Sequence, residues 1–170
     1  LVKWNKDARI LIVIDAANLE KSAKSLGMKV HYTRLKRFFQ QTAVLKEARF
    51  YTAAFSTKEH NEFLESLRRR GYHLITKPIK EIAVRGTGGK LRKANFDVEI
   101  TMDILDHLSE FDILILFSGD SDFGGLLGYL KSKGKKVIIV CTRNRMSTEL
   151  QTVADKFIPA EKYDPERLGT

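Results

Sequence analysis

Arg9-Ile-Leu-Ile-Val-Ile-Asp15-Ala-Ala-Asn18 and Ile113-Leu-Ile-Leu-Phe117-Ser118-Gly-Asp120-Ser-Asp122 decide how this chain folds. Each is an apolar run without polar interruption that stops abruptly at carboxylates. A strand of that kind needs cover on both faces, which marks the interior of a parallel sheet. Between and beyond the two runs, short apolar stretches alternate with longer segments of helical period, the pattern of βαβ units.

Three further strands are expected at Ala48–Ala54, Tyr72–Thr76 and Lys136–Cys141, with Phe157-Ile158 as a short sixth. Helices are expected over Thr33–Leu45, where Leu35, Phe38, Phe39, Thr42 and Leu45 form one stripe, and over Lys58–Arg70, Phe96–Leu108, Phe123–Lys133 and Thr148–Asp155. Ser56 or Thr57 caps the second of these and Gly71 ends it. From Lys77 to Asn95 the periodicity disappears, which predicts an irregular loop. The expected architecture is a three-layer α/β/α, Rossmann-like domain with a mostly parallel sheet of five to six strands. It occupies residues 9–160, with tails at 1–8 and 161–170.

Composition narrows the function. The 170 residues are 43% hydrophobic and 30% charged, ordinary for a globular domain, and the formal net charge of +9 suits a polyanionic partner. A single cysteine, Cys141, excludes an intrachain disulfide and a cysteine-rich zinc site. It falls in an apolar strand and reads as core filler. No stretch has the ~20 apolar residues of a membrane span and no signal peptide opens the chain, so a cytoplasmic protein is expected. The first residue is not methionine, which leaves room for additional domains outside this segment. A homodimer also stays open.

In an open parallel sheet, ligands bind beyond the carboxyl ends of the strands. Asp15 and Asn18 follow the first run, and Asp120 and Asp122 follow the second. Taken singly, such residues are ordinary turn formers and helix caps. Their coincidence at two strand ends points instead to a metal or phosphoryl site, because crowded carboxylates repel one another unless a cation offsets them. Oxygen donors suit Mg2+ or Mn2+. The helix from Phe96 adds Asp97, Glu99, Asp103 and Asp106. Asp97 and Asp103 lie about 120° apart around one helix, so they converge only if Asp97 sits in the first turn. A solvated acidic face is the expectation for Glu99 and Asp106.

With Ile-Asp15-Ala-Ala-Asn18, Asn-Phe-Asp97 followed by Asp103, and Ser118-Gly-Asp-Ser-Asp122-Phe in this order, the chain resembles the NYN domain family, in its LabA-like branch. The resemblance runs from Ile10 to about Phe157. It implies a PIN-like fold and a ribonuclease whose aspartates hold a divalent ion. Asp15, Asp120 and Asp122, with Asp97 or Asp103, would form the catalytic acidic centre, and Asp15, Asp103, Asp120 and Asp122 the metal ligands. Asn18 looks like the polar companion of the first aspartate and Ser118 like the small residue opening the second motif.

Two basic clusters are candidates for holding RNA backbone phosphates. One is Lys77, Lys80, Arg85, Lys90, Arg92 and Lys93, and the other is Arg143 and Arg145, which follow the fifth strand on the carboxylate side. An ordinary solvated surface competes with this reading for each. Two other functions compete with the nuclease: a noncatalytic RNA-binding or protein-interaction module of the same fold, and a receiver-like domain in which Asp15 accepts a phosphoryl group. His31, His60, His73 and His107 are scattered, and Gly86-Thr-Gly-Gly-Lys90 lacks the spacing of a P-loop.

Overall fold

In the computed structural model, residues 5–83 and 90–160 are described. The strand expected at Arg9 is β1 (Arg9–Asp15), and its interior is inaccessible: Ile10 to Ile14 are each at most 2% exposed. Ile10, Ile12 and Ile14 enter one hydrophobic cluster, whereas Leu11 and Val13 enter the other on the opposite side of the sheet. Alternation of side chains across a pleated strand makes this division, and it is why every residue of the run has to be apolar. Each such burial contributes roughly 1.5–3 kcal/mol.

Six parallel strands form the sheet in the order β3-β2-β1-β6-β7-β8. These are β1, β2 (Val44–Ala54), β3 (His73–Pro78), β6 (Ile113–Phe117), β7 (Lys136–Cys141) and β8 (Lys156–Pro159). The expected sixth strand is present as β8. One face is covered by α1 (Ala16–Ser25), α2 (Tyr32–Gln40) and α3 (Lys58–Arg69), through Leu19, Leu35, Phe39 and Leu67. The other is covered by α4 (Asp97–Asp106), α5 (Gly124–Ser132) and α6 (Thr148–Val153), through Ile100, Ile104, Leu127, Leu130 and Leu150. The fold is therefore a three-layer α/β/α sandwich. Among the described residues no helix is long and apolar enough to cross a membrane.

Three local expectations are corrected. Helix α1 went unread because Ala16–Ser25 carries few apolar residues, yet Asp15 caps it, accepting from the backbone N–H of Asn18 at 3.3 Å. Helix α2 stops at Gln40 although the apolar stripe continues to Leu45. There the Thr42 hydroxyl donates to the Phe39 carbonyl at 2.9 Å, and Val44 and Leu45 pair with Arg9 and Ile10 as the start of β2. Part of the expected irregular loop is an antiparallel ribbon of β4 (Lys80–Ala83) and β5 (Lys90–Lys93), whose register sets Glu81 opposite Arg92 and Ile82 opposite Leu91. Four-residue strands are too short to show a period. Helix α3 ends as its sequence suggests: Thr57 caps its start, and Gly71 follows its end at φ +75, a conformation that only glycine adopts without strain.

From β1 the chain adds strands toward one edge, and from β6 toward the other, so β1 and β6 lie side by side at the switch point. A crevice opens there beyond the carboxyl ends, as it does in doubly wound sheets. Its walls are fixed from two sides. The backbone N–H of Gly119 donates to the Asn18 side-chain oxygen at 3.2 Å, which ties the end of β6 to α1. On its other side, a Cβ on Gly119 would overlap the Arg145 carbonyl oxygen and sit 3.1 Å from the Cys141 sulfur. That neighbour is backbone and has little freedom to retreat. Gly119→Ala is expected to lower stability by about 1–3 kcal/mol, read as a reduced urea midpoint at unchanged m-value.

Candidate acidic centre

The crevice is a cleft of about 500 Å3. Along it stand Asp15 at the end of β1, Asn18 of α1, Asp97 at the start of α4, and Asp120 and Asp122 after β6. Asp97, Asp120 and Asp122 each offer a carboxylate oxygen, and these oxygens lie within 4.8 Å of one another. Local sequence places them. The backbone N–H of Asp120 donates to the buried Ser118 hydroxyl at 3.3 Å, and that of Asp122 donates to the Asp120 carboxylate at 3.2 Å, winding the segment into one 3-10 turn (Ser121–Phe123). The N–H of Asp97 donates to the Asn95 side chain at 2.8 Å, which aligns the first turn of α4. Ser118 therefore acts from below, and its side chain does not line the cleft.

Asp15 senses the crowding. Burial first, and the Asp97 and Asp120 charges with it, raise its carboxyl pKa to about 6 against the opposing hydrogen bonds from the Asn18 and Ala17 backbones. The arrangement therefore has hard oxygen donors close together, and among the described residues no salt bridge engages Asp97, Asp120 or Asp122. A divalent cation fits this donor set.

Of the two α4 carboxylates left open by the sequence, the structure brings Asp97 to the cluster and keeps Asp103 away. Asp103 faces β2, where it accepts from Arg49 at 2.9 Å and from the Tyr51 hydroxyl at 2.7 Å. Arg49 is itself 6% exposed and also bonds Glu47 at 2.6 Å, so Asp103 serves to neutralise a buried guanidinium. Six residues of helix separate the two acids, and the helix turns them to different neighbours. Glu99 is engaged as well, by Lys77 at 2.7 Å, which holds its carboxyl below the usual range.

The basic candidates divide. Lys77 is committed to Glu99, and its ammonium lies 4.6 Å from the Phe96 ring centre. Arg85 lies outside the described residues, and Lys80, Lys90, Arg92 and Lys93 are described by their backbone in β4 and β5. That ribbon springs from the cleft rim, since Ile79 and Ala94, which flank it, both line the cleft. Arg143 and Arg145 are exposed in a 3-10 turn after β7, beside Gly119. The sequence gives no signal for several other cleft residues, among them Glu20 and Lys21 on helix α1, and Phe55, a lone aromatic just past β2.

Comparison with known proteins agrees with the geometry. The LabA protein ("low amplitude and bright") of Synechococcus elongatus is 27% identical over 156 residues, spanning 90% of this chain and 84% of that protein. A crystal structure of a Vibrio parahaemolyticus protein of unknown function has the same fold, with a TM-score of 0.79 at 24% identity over 96% of this chain and 99% of that one. The NYN domain profile matches residues 9–161, which include both strand-end motifs and the whole described sheet. The chain belongs to the NYN domain family, a PIN-like nuclease fold.

Proposed function

We propose that this protein is a metal-dependent ribonuclease that hydrolyses RNA phosphodiesters in the cleft between β1 and β6. The observation that carries this reading is the convergence of Asp97, Asp120 and Asp122 beside a partly protonated Asp15, at the switch point of a chain with net charge +9. Asp97, Asp120 and Asp122 would hold Mg2+ or Mn2+, with Asp15 completing the acidic wall. Such an ion, when bound, polarises a phosphate oxygen and lowers the pKa of a water.

The chain's own residues supply the rest. Asp15, with a carboxyl group near 6, is matched to accept a proton at its carboxylate oxygen near neutral pH. Asn18 spends its side-chain oxygen on Gly119 and so holds the two acidic segments in register. Lys21, on the cleft wall, binds phosphate, and the exposed Arg143 and Arg145 extend that attraction beyond the β7 end.

Labelled single-stranded and structured RNAs incubated with Mn2+, Mg2+ or EDTA test the reading. Cleavage is expected with metal alone and is expected to fall by at least about 100-fold in Asp97→Asn and Asp120→Asn. Asp103→Asn should instead keep the metal dependence and lose about 1–3 kcal/mol of stability, because Arg49 and Tyr51 each lose a charged acceptor. Intact RNA throughout, with binding preserved, would replace the nuclease by a noncatalytic RNA-binding module.

Asp15 also makes stability depend on pH. Its folded-state pKa lies above the unfolded value of 3.8, so the folded chain holds the proton more tightly, and stability falls as pH rises from about 4 to about 6. At about 1.4 kcal/mol per tenfold change in proton affinity, the cost above pH 6 reaches at most about 3 kcal/mol. Asp15→Asn is therefore expected to melt higher than the parent at pH 8 in EDTA, with the difference vanishing near pH 4. Equal melting temperatures at pH 8 would contradict the burial of the charge.

A further inference from the structure

The cleft is larger than its acidic centre requires. An ion with about six waters, at roughly 30 Å3 per water, fills less than half of the 500 Å3. The remainder extends across β1 to the end of β2, and there the lining becomes more apolar, with Phe55, Ile79, Ala53 and Phe96 on the wall and Glu20 near His60. Phe55 is 44% exposed. An isolated exposed aromatic means little on its own, but this one lies in a concave wall and its ring is held in place. His60 packs edge-on against it, with centroids 4.8 Å apart at 77°, and His60 in turn leans on Phe63 at 6.2 Å. The position is built to present an aromatic ring to whatever fills the cleft.

The spacing between the two ends suits one ligand. Strands β2 and β6 flank β1, so the aromatic and acidic ends are about two strand spacings apart, roughly 10 Å. In a nucleotide the phosphate and the base lie on opposite sides of the sugar. The acidic end can take the phosphate while the aromatic end takes the base, and Lys21 and Thr52 also line the cleft.

We infer that the β2 end of the cleft is a nucleobase subsite, in which Phe55 stacks on an unpaired base of single-stranded RNA whose phosphate lies at Asp97, Asp120 and Asp122. This inference rests on the ribonuclease reading and narrows it. A base inside a duplex already has both faces stacked and cannot reach Phe55, so the subsite selects single-stranded segments. Stacking tolerates every base, because each has a π-face, so the selection is for strandedness more than for sequence.

Binding measured without cutting separates this inference from the nuclease reading. In an Asp120→Asn background, fluorescence anisotropy would compare labelled oligouridine, an abasic ribose-phosphate oligomer of equal length, and the same oligouridine in a duplex with oligoadenine. Oligouridine is expected to bind most tightly. Phe55→Ala should weaken it about tenfold, to the level of the abasic oligomer, while Phe55→Tyr restores it. A 2-aminopurine in the oligomer should be quenched by the parent and not by Phe55→Ala, which excludes a loss of fold as the cause once melting temperatures agree. Equal affinity for abasic and base-bearing oligomers, or no effect of Phe55→Ala, would overturn the subsite. Metal-dependent cutting by the chain with Asp120 intact reports on the other reading alone: cutting without base-dependent binding removes only the subsite, and base-dependent binding without cutting removes only the nuclease.

Discussion

Asp15 ends a strand whose interior, Ile10 to Ile14, is wholly apolar, and it faces the charges of Asp97 and Asp120, so burial and like-charge repulsion together hold its carboxyl group protonated to about pH 6. The rest of the cleft is arranged around that electrostatic strain. Backbone N–H groups are the cheapest local remedy, and they are used repeatedly: Asn18 donates to Asp15, Asp122 to Asp120, and Asp120 to Ser118. These bonds orient the carboxylates without neutralising them. A chain with thirty lysines and arginines could have placed one in the middle of the cluster. Among the described residues no salt bridge reaches Asp97, Asp120 or Asp122.

Helix α4 shows how one element serves both stability and site. Its first residue, Asp97, belongs to the cleft, whereas Asp103, less than two turns later, belongs to the sheet, where it meets the buried Arg49 and the Tyr51 hydroxyl. The two roles are linked through packing. Tyr51 lines the cleft floor and its ring meets Phe96 at 6.0 Å, so the ion pair beneath also holds the residue that precedes Asp97. A buried guanidinium is costly unless it is partnered, and Glu47, Tyr51 and Asp103 partner Arg49 beneath the cleft.

How legible the molecule was depended on the length and uniformity of each signal. The apolar runs Ile10–Ile14 and Ile113–Phe117 are too uniform for anything but central strands, and their ends mark the cleft. Helix α1 was invisible because its buried side includes Ala16, Ser22 and Ala23, residues too small or polar to mark a face. The ribbon β4–β5 was read as irregular because four-residue strands have no resolvable period. The choice between Asp97 and Asp103 could not be made from spacing, since it turned on Arg49, a charged residue in the middle of β2 whose need for a partner appears only when the helix is laid across the sheet. Phe55 carried no signal because a single aromatic after a strand is common in any fold.

The distribution of charge resolves an apparent contradiction in the composition. A net charge of +9 attracts polyanions, yet the concave centre is acidic. On the proposed reading, attraction and chemistry are separated in space. Lys21 lies on the cleft wall, the basic ribbon rises from its rim, and Arg143 and Arg145 stand past the adjacent strand. A phosphodiester chain drawn along that border meets like charge at the one place where the carboxylates converge. Without a cation it would be held off by repulsion at that point. A divalent ion held by Asp97, Asp120 and Asp122 would supply the positive charge that offsets this repulsion. On the proposed reading, metal affinity and polyanion affinity at the centre would reinforce each other, whereas polyanion affinity at the rim would be independent of metal.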